Sequence, residues 1–226
     1  GMPYTSGRHS GCRPRFGPDG YLWVGTGDAA LSSAPQDDDS LGGKVLRVTR
    51  DGQAAPDNPG GRLWYSKGHR NVQGMAFRSD GTGVSVEHGT GTDDEVNLLL
   101  PGNFGWDPGP GDDESVPMTD LGKFPDAVEA IWSSGSPTIA PSGATFVEGS
   151  RWGLFDWNLV VATLKASHLR FYLIGATGKV VADAVRITDE GRLRSPRQGP
   201  DGNLYVTTDG SNGNGKVLKI VPSFPE

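Results

Sequence analysis

The run Tyr65-Ser66-Lys67-Gly68-His69-Arg70-Asn71-Val72-Gln73-Gly74, followed by Glu87-His88-Gly89 and Asp93-Asp94-Glu95-Val96-Asn97, mixes imidazole, guanidinium, amides and carboxylates with glycines that let backbone approach a ligand. A buried polar atom left without a partner costs roughly 1 to 3 kcal/mol, so core packing does not call for such a concentration. A ligand site accounts for it. The alternative is a Gly-His-Arg-Asn turn that ties two strands through side-chain hydrogen bonds. Four further positions carry chemistry. His9 precedes the first hairpin and offers an imidazole, the side chain suited to general-base work near neutral pH. Lys165 follows an apolar run, and Arg192 and Arg194 stand two apart in a strand-like segment, so both guanidinia project from one face and call for an anion.

Those residues need elements to hold them, and one hairpin recurs. Phe16-Gly17-Pro18-Asp19-Gly20-Tyr21-Leu22-Trp23-Val24 and Gln198-Gly199-Pro200-Asp201-Gly202-Asn203-Leu204-Tyr205-Val206 are near copies, and Phe77-Arg78-Ser79-Asp80-Gly81-Thr82-Gly83-Val84-Ser85-Val86 is a weaker third. Proline fixes φ at the turn's start, Asp-Gly supplies the residue that tolerates positive φ, and alternating apolar residues follow. Further strands are predicted at Gly43 to Val48, Gly143 to Val147, Leu159 to Leu164, Arg170 to Ile174 and Val217 to Val221. The pattern predicts an all-β chain, a β-propeller with about four blades at Arg13 to Thr49, Val72 to Leu100, Pro137 to Ile187 and Leu193 to Val221, forming one partial propeller domain over residues 1–226. The loops Ala34 to Leu41 and Pro108 to Glu129 are rich in Asp, Pro and Gly; in a propeller such loops gather on one face, where ligands bind.

Composition narrows the partners. The 226 residues hold 35 glycines and 17 prolines, which favours short strands and tight turns and leaves few helices. A formal charge of −6 with scattered arginines argues against a nucleic-acid surface. Cys12 is the single cysteine, so there is neither an internal disulfide nor a Cys-x-x-Cys metal knuckle. No run approaches the ~18 apolar residues of a membrane span, and the N-terminus lacks a basic stretch followed by an apolar one. Gly1 before Met2 reads as a cleavage scar. Asp37-Asp38-Asp39 lacks the spacing that wraps an ion, and Gly210 to Gly215 reads as a hairpin loop rather than a phosphate cradle. Trp132, Trp152 and Trp157 are expected to pack blade against blade, with stacking on a ligand as the alternative.

Taken in order, the segments His9 to Asp28, Gly43 to Asn58, Gly68 to Gly74, Glu87 to Trp106, Pro137 to Val147, Leu164-Lys165 and Arg192 to Asp209 resemble the soluble glucose/sorbosone dehydrogenase family. These are six-bladed propellers that use pyrroloquinoline quinone (PQQ) with calcium to oxidise aldose sugars at the anomeric carbon. The resemblance covers what would be the last four blades. It implies that His9 is the base, and that Arg70, Asn71, Lys165, Arg192 and Arg194 contact PQQ, a planar tricarboxylate that needs cations around it. It further implies that the carbonyls of Gly89 and Thr90 hold calcium, with Asp94 and Glu95 binding a neighbouring ion or pairing with the arginines; the family has proline where Thr90 stands. The chain departs from the family at Arg8, where an acidic residue precedes the histidine, and at Cys12-Arg13-Pro14.

The resemblance implies an aldose substrate, an external electron acceptor and a secreted or periplasmic location. Open sheet edges in a four-blade chain favour a homo-oligomer. Two readings from different classes remain: a PQQ- and calcium-dependent sugar dehydrogenase or the C-terminal part of one, and a catalytically inactive propeller fragment that acts as a binding or assembly module.

Overall fold

The computed structural model describes residues 7–210 and 213–223, and sixteen strands fall within them. Four sheets, antiparallel except for one strand pair, follow one another along the chain. The first runs β1 (Arg13–Phe16), β2 (Leu22–Gly25), β3 (Lys44–Val48) and β4 (Trp64–Lys67), with β8 (Gly102–Asn103) added parallel to β4 as a fifth strand. The second comprises β5 (Val72–Phe77), β6 (Gly83–Glu87), β7 (Glu95–Leu98) and β9 (Trp132–Ser133). The third comprises β10 (Pro141–Phe146), β11 (Leu159–Thr163), β12 (Leu169–Ile174) and β13 (Val180–Arg186), and the fourth β14 (Leu193–Gln198), β15 (Leu204–Thr208) and β16 (Val217–Ile220). The first strands of successive sheets pack together, β1 on β5, β5 on β10 and β10 on β14, which is the radial arrangement of a β-propeller. Each sheet falls on one predicted blade, but the first runs past Thr49 to take in β4 and β8 and the second past Leu100 to take in β9. Of the glycine-rich stretch 210–215, Ser211 and Asn212 lie outside the described residues, as do Gly1 and Met2.

The repeated hairpins share one hydrogen-bond pattern. In the first, Gly17 N donates to Tyr21 O and Gly20 N to Gly17 O, with Gly20 at φ 78°. The same two bonds recur from Arg78 and Gly81 and from Gly199 and Gly202. Two turns without proline repeat them, Thr49 to Gln53 and Gly175 to Lys179, so the turn is more widespread than its Pro-Asp-Gly spelling. Between sheets lie apolar layers. In β11, Leu159 and Val161 face the second sheet's Val84, Val86 and Val96, while Val160 and Ala162 face Leu193, Leu204 and Val206 of the fourth. With both faces buried, each such side chain contributes about 1.5 to 3 kcal/mol. Trp152 lies inside the second of these layers and Trp132 packs on the first, edge to face with Tyr172; Trp157 is partly exposed beneath the Arg78 guanidinium.

This connectivity sorts the loops. The β1–β2, β5–β6, β10–β11 and β14–β15 turns share one end of the sheets. The segments before β1, β5, β10 and β14, and the β2–β3, β6–β7, β11–β12 and β15–β16 connections, share the other. Every candidate site residue belongs to this second end. The long insertion starts at the hairpin end, and because β8 runs parallel to β4 it climbs to the site end before β9 continues the second sheet.

Candidate functional site

His9 sits at φ 48° on the segment before β1, and its carbonyl lies so close to Gly27 that a Cβ there would collide with it. Glycine at 27 is therefore what lets the histidine backbone lie against the β2–β3 loop. The His9 Nδ1 is 2.7 Å from Asp28 Oδ1. A carboxylate only accepts, so Nδ1 carries the hydrogen, and in the neutral ring that leaves Nε2 as the acceptor. Asp28 is itself fixed: Oδ1 also accepts the Ala30 amide at 2.8 Å, and Oδ2 accepts the Trp106 indole at 2.9 Å. An imidazole oriented by a buried carboxylate is the arrangement a general base requires.

Arg70 and Asn71 are brought beside this pair by backbone bonds, Asp28 N to Arg70 O at 2.9 Å and a Gly27–Asn71 bridge. Asn71 Oδ1 accepts the Gly11 amide at 3.2 Å and Gln73 Nε2 at 3.0 Å. The buried Arg70 guanidinium donates through Nη1 to Gly89 O at 2.7 Å and through Nη2 to Glu114 Oε2 at 3.0 Å, lies over the Trp106 ring, and keeps a buried Nε without a partner. Behind it runs a buried polar chain. His69 bridges Ser66 Oγ and Glu87 Oε1, each at 2.8 Å, and Glu87 Oε2 accepts the Arg70 amide at 2.9 Å. Asn97 Nδ2 links Glu87 to Glu95, whose carboxyl is pushed up to about 8 by burial and then by Glu87. His69 thus holds the loop from within and does not face a ligand.

The acidic loop closes over backbone. Asp94 Oδ1 accepts the Gly89 amide at 2.9 Å, and Oδ2 accepts the amides of Ile139 and Ala140 at 2.6 and 2.7 Å. Asp94 is thereby the brace between the second sheet's loop and the third sheet's, and Glu95 points inward. The Gly89 carbonyl is shared with Arg70, and a Cβ at Gly89 would strike the Thr92 carbonyl. His88 Nε2 meets Pro141 O at 2.6 Å, and burial lowers its pKa. Among the described residues no three of His, Cys, Asp and Glu gather to hold a metal ion.

The remaining cations come from the third and fourth sheets. Lys165 is exposed on the β11–β12 loop and donates to Thr138 Oγ1 at 2.6 Å. Arg192 precedes β14, and Arg194 occupies a register shift within it; both reach Asp209 Oδ2 at 3.0 Å. The anion these two arginines call for is thus supplied in part by the chain itself, and the Arg192 hydrogen bond holds the Asp209 carboxyl below its usual range. Arg13, on the innermost strand, spans the sheets from Gln73 O at 3.1 Å to Ser195 Oγ at 3.1 Å, and burial together with the neighbouring Arg194 charge lowers its pKa. Among the described residues Arg13 and Lys165 have no carboxylate partner, and two such cations suit a planar polycarboxylate ligand. The sequence reading passes over Asp28, Trp106, Arg13 and Glu114 as site residues. A Gly-Asp pair ending a strand and an Arg-x-Arg spacing in β1 were the available signals for two of them.

The glucose/sorbosone dehydrogenase family matches residues 2–219. The chain is 34% identical over 245 residues to the aldose sugar dehydrogenase YliI of Escherichia coli (strain K12), covering 98% of this chain and 62% of that protein. It is 29% identical over 228 residues to quinoprotein glucose dehydrogenase B of Acinetobacter calcoaceticus, covering 74% of this chain and 48% of that one. The PQQ-bound form of the aldose sugar dehydrogenase from Streptomyces coelicolor superposes with a TM-score of 0.76 at 31% identity, over 93% of this chain and 61% of that one. The chain spans less than two thirds of the length of these relatives.

Proposed function

The chain belongs to the glucose/sorbosone dehydrogenase family, and on that premise we propose that it supplies the base and cofactor side of a PQQ- and calcium-dependent dehydrogenase that oxidises aldoses to lactones. The observation that carries this reading is His9, clamped through Nδ1 by Asp28 with Nε2 presented beside the buried Arg70 guanidinium. His9 Nε2 takes the proton of the anomeric hydroxyl as the C–H bond breaks. When bound, PQQ supplies the quinone that accepts the hydride. Proton and hydride together account for the two hydrogens lost as the hemiacetal becomes a lactone, and turnover would need an external acceptor for the electrons.

The chain's own work is positioning and charge balance. Arg70 and Asn71 would hold the cofactor at its quinone and carboxylate edge, with Lys165, Arg192 and Arg194 placed for the other carboxylates. Calcium would take the carbonyls of Gly89 and Thr90, with Asp94 bracing that loop and Glu95 behind it. A secreted or periplasmic location belongs to the same reading. The test is titration of PQQ into the protein with calcium, followed by glucose and a dye acceptor. Tight binding with dye reduction is expected, and His9→Ala should keep the binding while losing roughly a hundredfold or more of the turnover. Binding without turnover in the wild type would instead favour a module that keeps the pocket without catalysis. A folded protein that does not bind PQQ would overturn the proposal.

A further inference from the structure

The insertion that climbs beside β4 ends in a turn stiffened by its own hydrogen bonds, Asp113 N to Pro108 O at 2.8 Å and both Ser115 N and Oγ to Asp113 Oδ1 at 2.9 and 2.6 Å. Its base is clamped as well, since Trp106 N donates to Gly68 O at 3.0 Å and Gln36 Nε2 to Trp106 O at 2.8 Å. Arg8, one residue before His9, pairs with Asp112 at 3.8 Å. The outcome of these contacts is the position of one side chain. Glu114 Oε2 is bound to Arg70, while Oε1 lies 4.0 Å from His9 Nε2, buried and without a hydrogen-bond partner.

An oriented carboxylate oxygen with spare lone pairs, next to a base nitrogen with a free lone pair, is a place for a hydroxyl-bearing molecule. A hydroxyl donating to Nε2 at about 2.8 Å leaves Oε1 within reach of that oxygen or of the hydroxyl on the adjacent carbon. We infer that Glu114 is a substrate-binding and specificity-determining residue that accepts a hydrogen bond from the hydroxyl next to the reacting carbon of a polyol. The assignment rests on His9 being the base of a sugar dehydrogenase. Arg8 and Asp112 are the positioning pair that delivers it. Glu114 also pairs with Arg70 through Oε2, which offsets the guanidinium charge on the side that faces His9.

The experiment compares wild type, Glu114→Gln and Arg8→Ala for PQQ affinity by absorbance titration, and for kcat and KM with glucose and with 2-deoxyglucose. Loss of a charged acceptor is expected to raise KM for glucose about tenfold in Glu114→Gln while kcat changes less than threefold. The wild type should prefer glucose over 2-deoxyglucose, and that preference should shrink about tenfold in the variant, with PQQ affinity within threefold of wild type. Arg8→Ala should move KM in the same direction by a smaller factor. An unchanged preference at normal PQQ affinity overturns the assignment, and so does PQQ binding that tightens tenfold or more, because Glu114 would then be standing in the cofactor's place. Absence of PQQ binding in the wild type is a different failure, that of the underlying dehydrogenase reading.

Discussion

Asp28 accepts from three donors, His9 Nδ1, the Ala30 amide and the Trp106 indole, and only the first of these is part of the chemistry. The other two immobilise the carboxylate, so the imidazole's tautomer and direction are set before a substrate arrives. Replacing Asp28 with Asn keeps the shape but offers a donor where an acceptor is needed. Asp28→Asn should bind PQQ within threefold of wild type and lose roughly a hundredfold in kcat, read by single-turnover dye reduction; unaltered turnover would show that His9 is oriented by something else. The reach of sequence reading is visible here. His9, Arg70 and Asn71 stand out by residue type within short motifs, whereas Trp106 meets Asp28 across 78 positions and Glu114 meets Arg70 across 44. Such pairs have no local signature; only the path of the insertion brings them together. His69 has the chemistry of a site residue, and as the sequence suggested it supports the loop instead: its ring is spent between Ser66 and Glu87, stacked on Phe104.

At the scale of elements, the hairpins and the apolar strands are local and were readable, because a turn that needs positive φ selects glycine and a strand buried on both faces selects Val, Ile and Leu, whereas β4, β9 and the largely exposed β13 were not predicted. What was not local is what attaches the loops. The Asp37-Asp38-Asp39 run reads as a solvated loop, but Asp38 is bound by Lys67 at 2.8 Å, and beneath it Lys44 Nζ donates to the carbonyls of Ala34, Pro35 and Gly42 at 2.6, 3.0 and 2.8 Å. Burial pulls that ammonium down to about 8, and the three carbonyls are what keep a lysine tolerable inside the fold. Lys44→Met fills the space and abandons the carbonyls, so it should destabilise the protein by about 3 kcal/mol in urea unfolding and speed protease cleavage between residues 34 and 42. A variant as stable and as protease-resistant as wild type would show that the loop holds itself. Because Gly43 N bonds to Gly27 O, loosening this loop should reach the His9 contact as well.

For the whole molecule, the four sheets are joined at their inner strands by more than apolar layers. Arg15 donates to Met75 O on β5 at 3.2 Å and to Ala144 O on β10 at 2.9 Å, and Arg13 links β5 to β14, so two arginines of one strand tie together all four sheets. Stability and site are therefore coupled, and the Glu87–Glu95 pair is where pH enters that coupling. The folded Glu95 titrates near 8, against an ordinary value of 4.5. Below the lower value both folded and unfolded chains hold the proton and the contribution is fully present. As pH rises through this window the unfolded chain releases a proton that the folded one retains, so stability falls, and above about 8 the folded protein must carry two buried carboxylates side by side. Glu95→Gln removes the titration while keeping an acceptor for Asn97. Between pH 5 and pH 8.5 the wild type should lose on the order of 3 kcal/mol more than the variant in urea unfolding, the other groups cancelling in the comparison. Parallel curves would mean that Glu95 is not the group that titrates. Since Glu87 also carries the Arg70 amide, ionisation beside it pulls at the cofactor arginine; PQQ affinity should weaken over the same pH range in the wild type and stay flatter in Glu95→Gln.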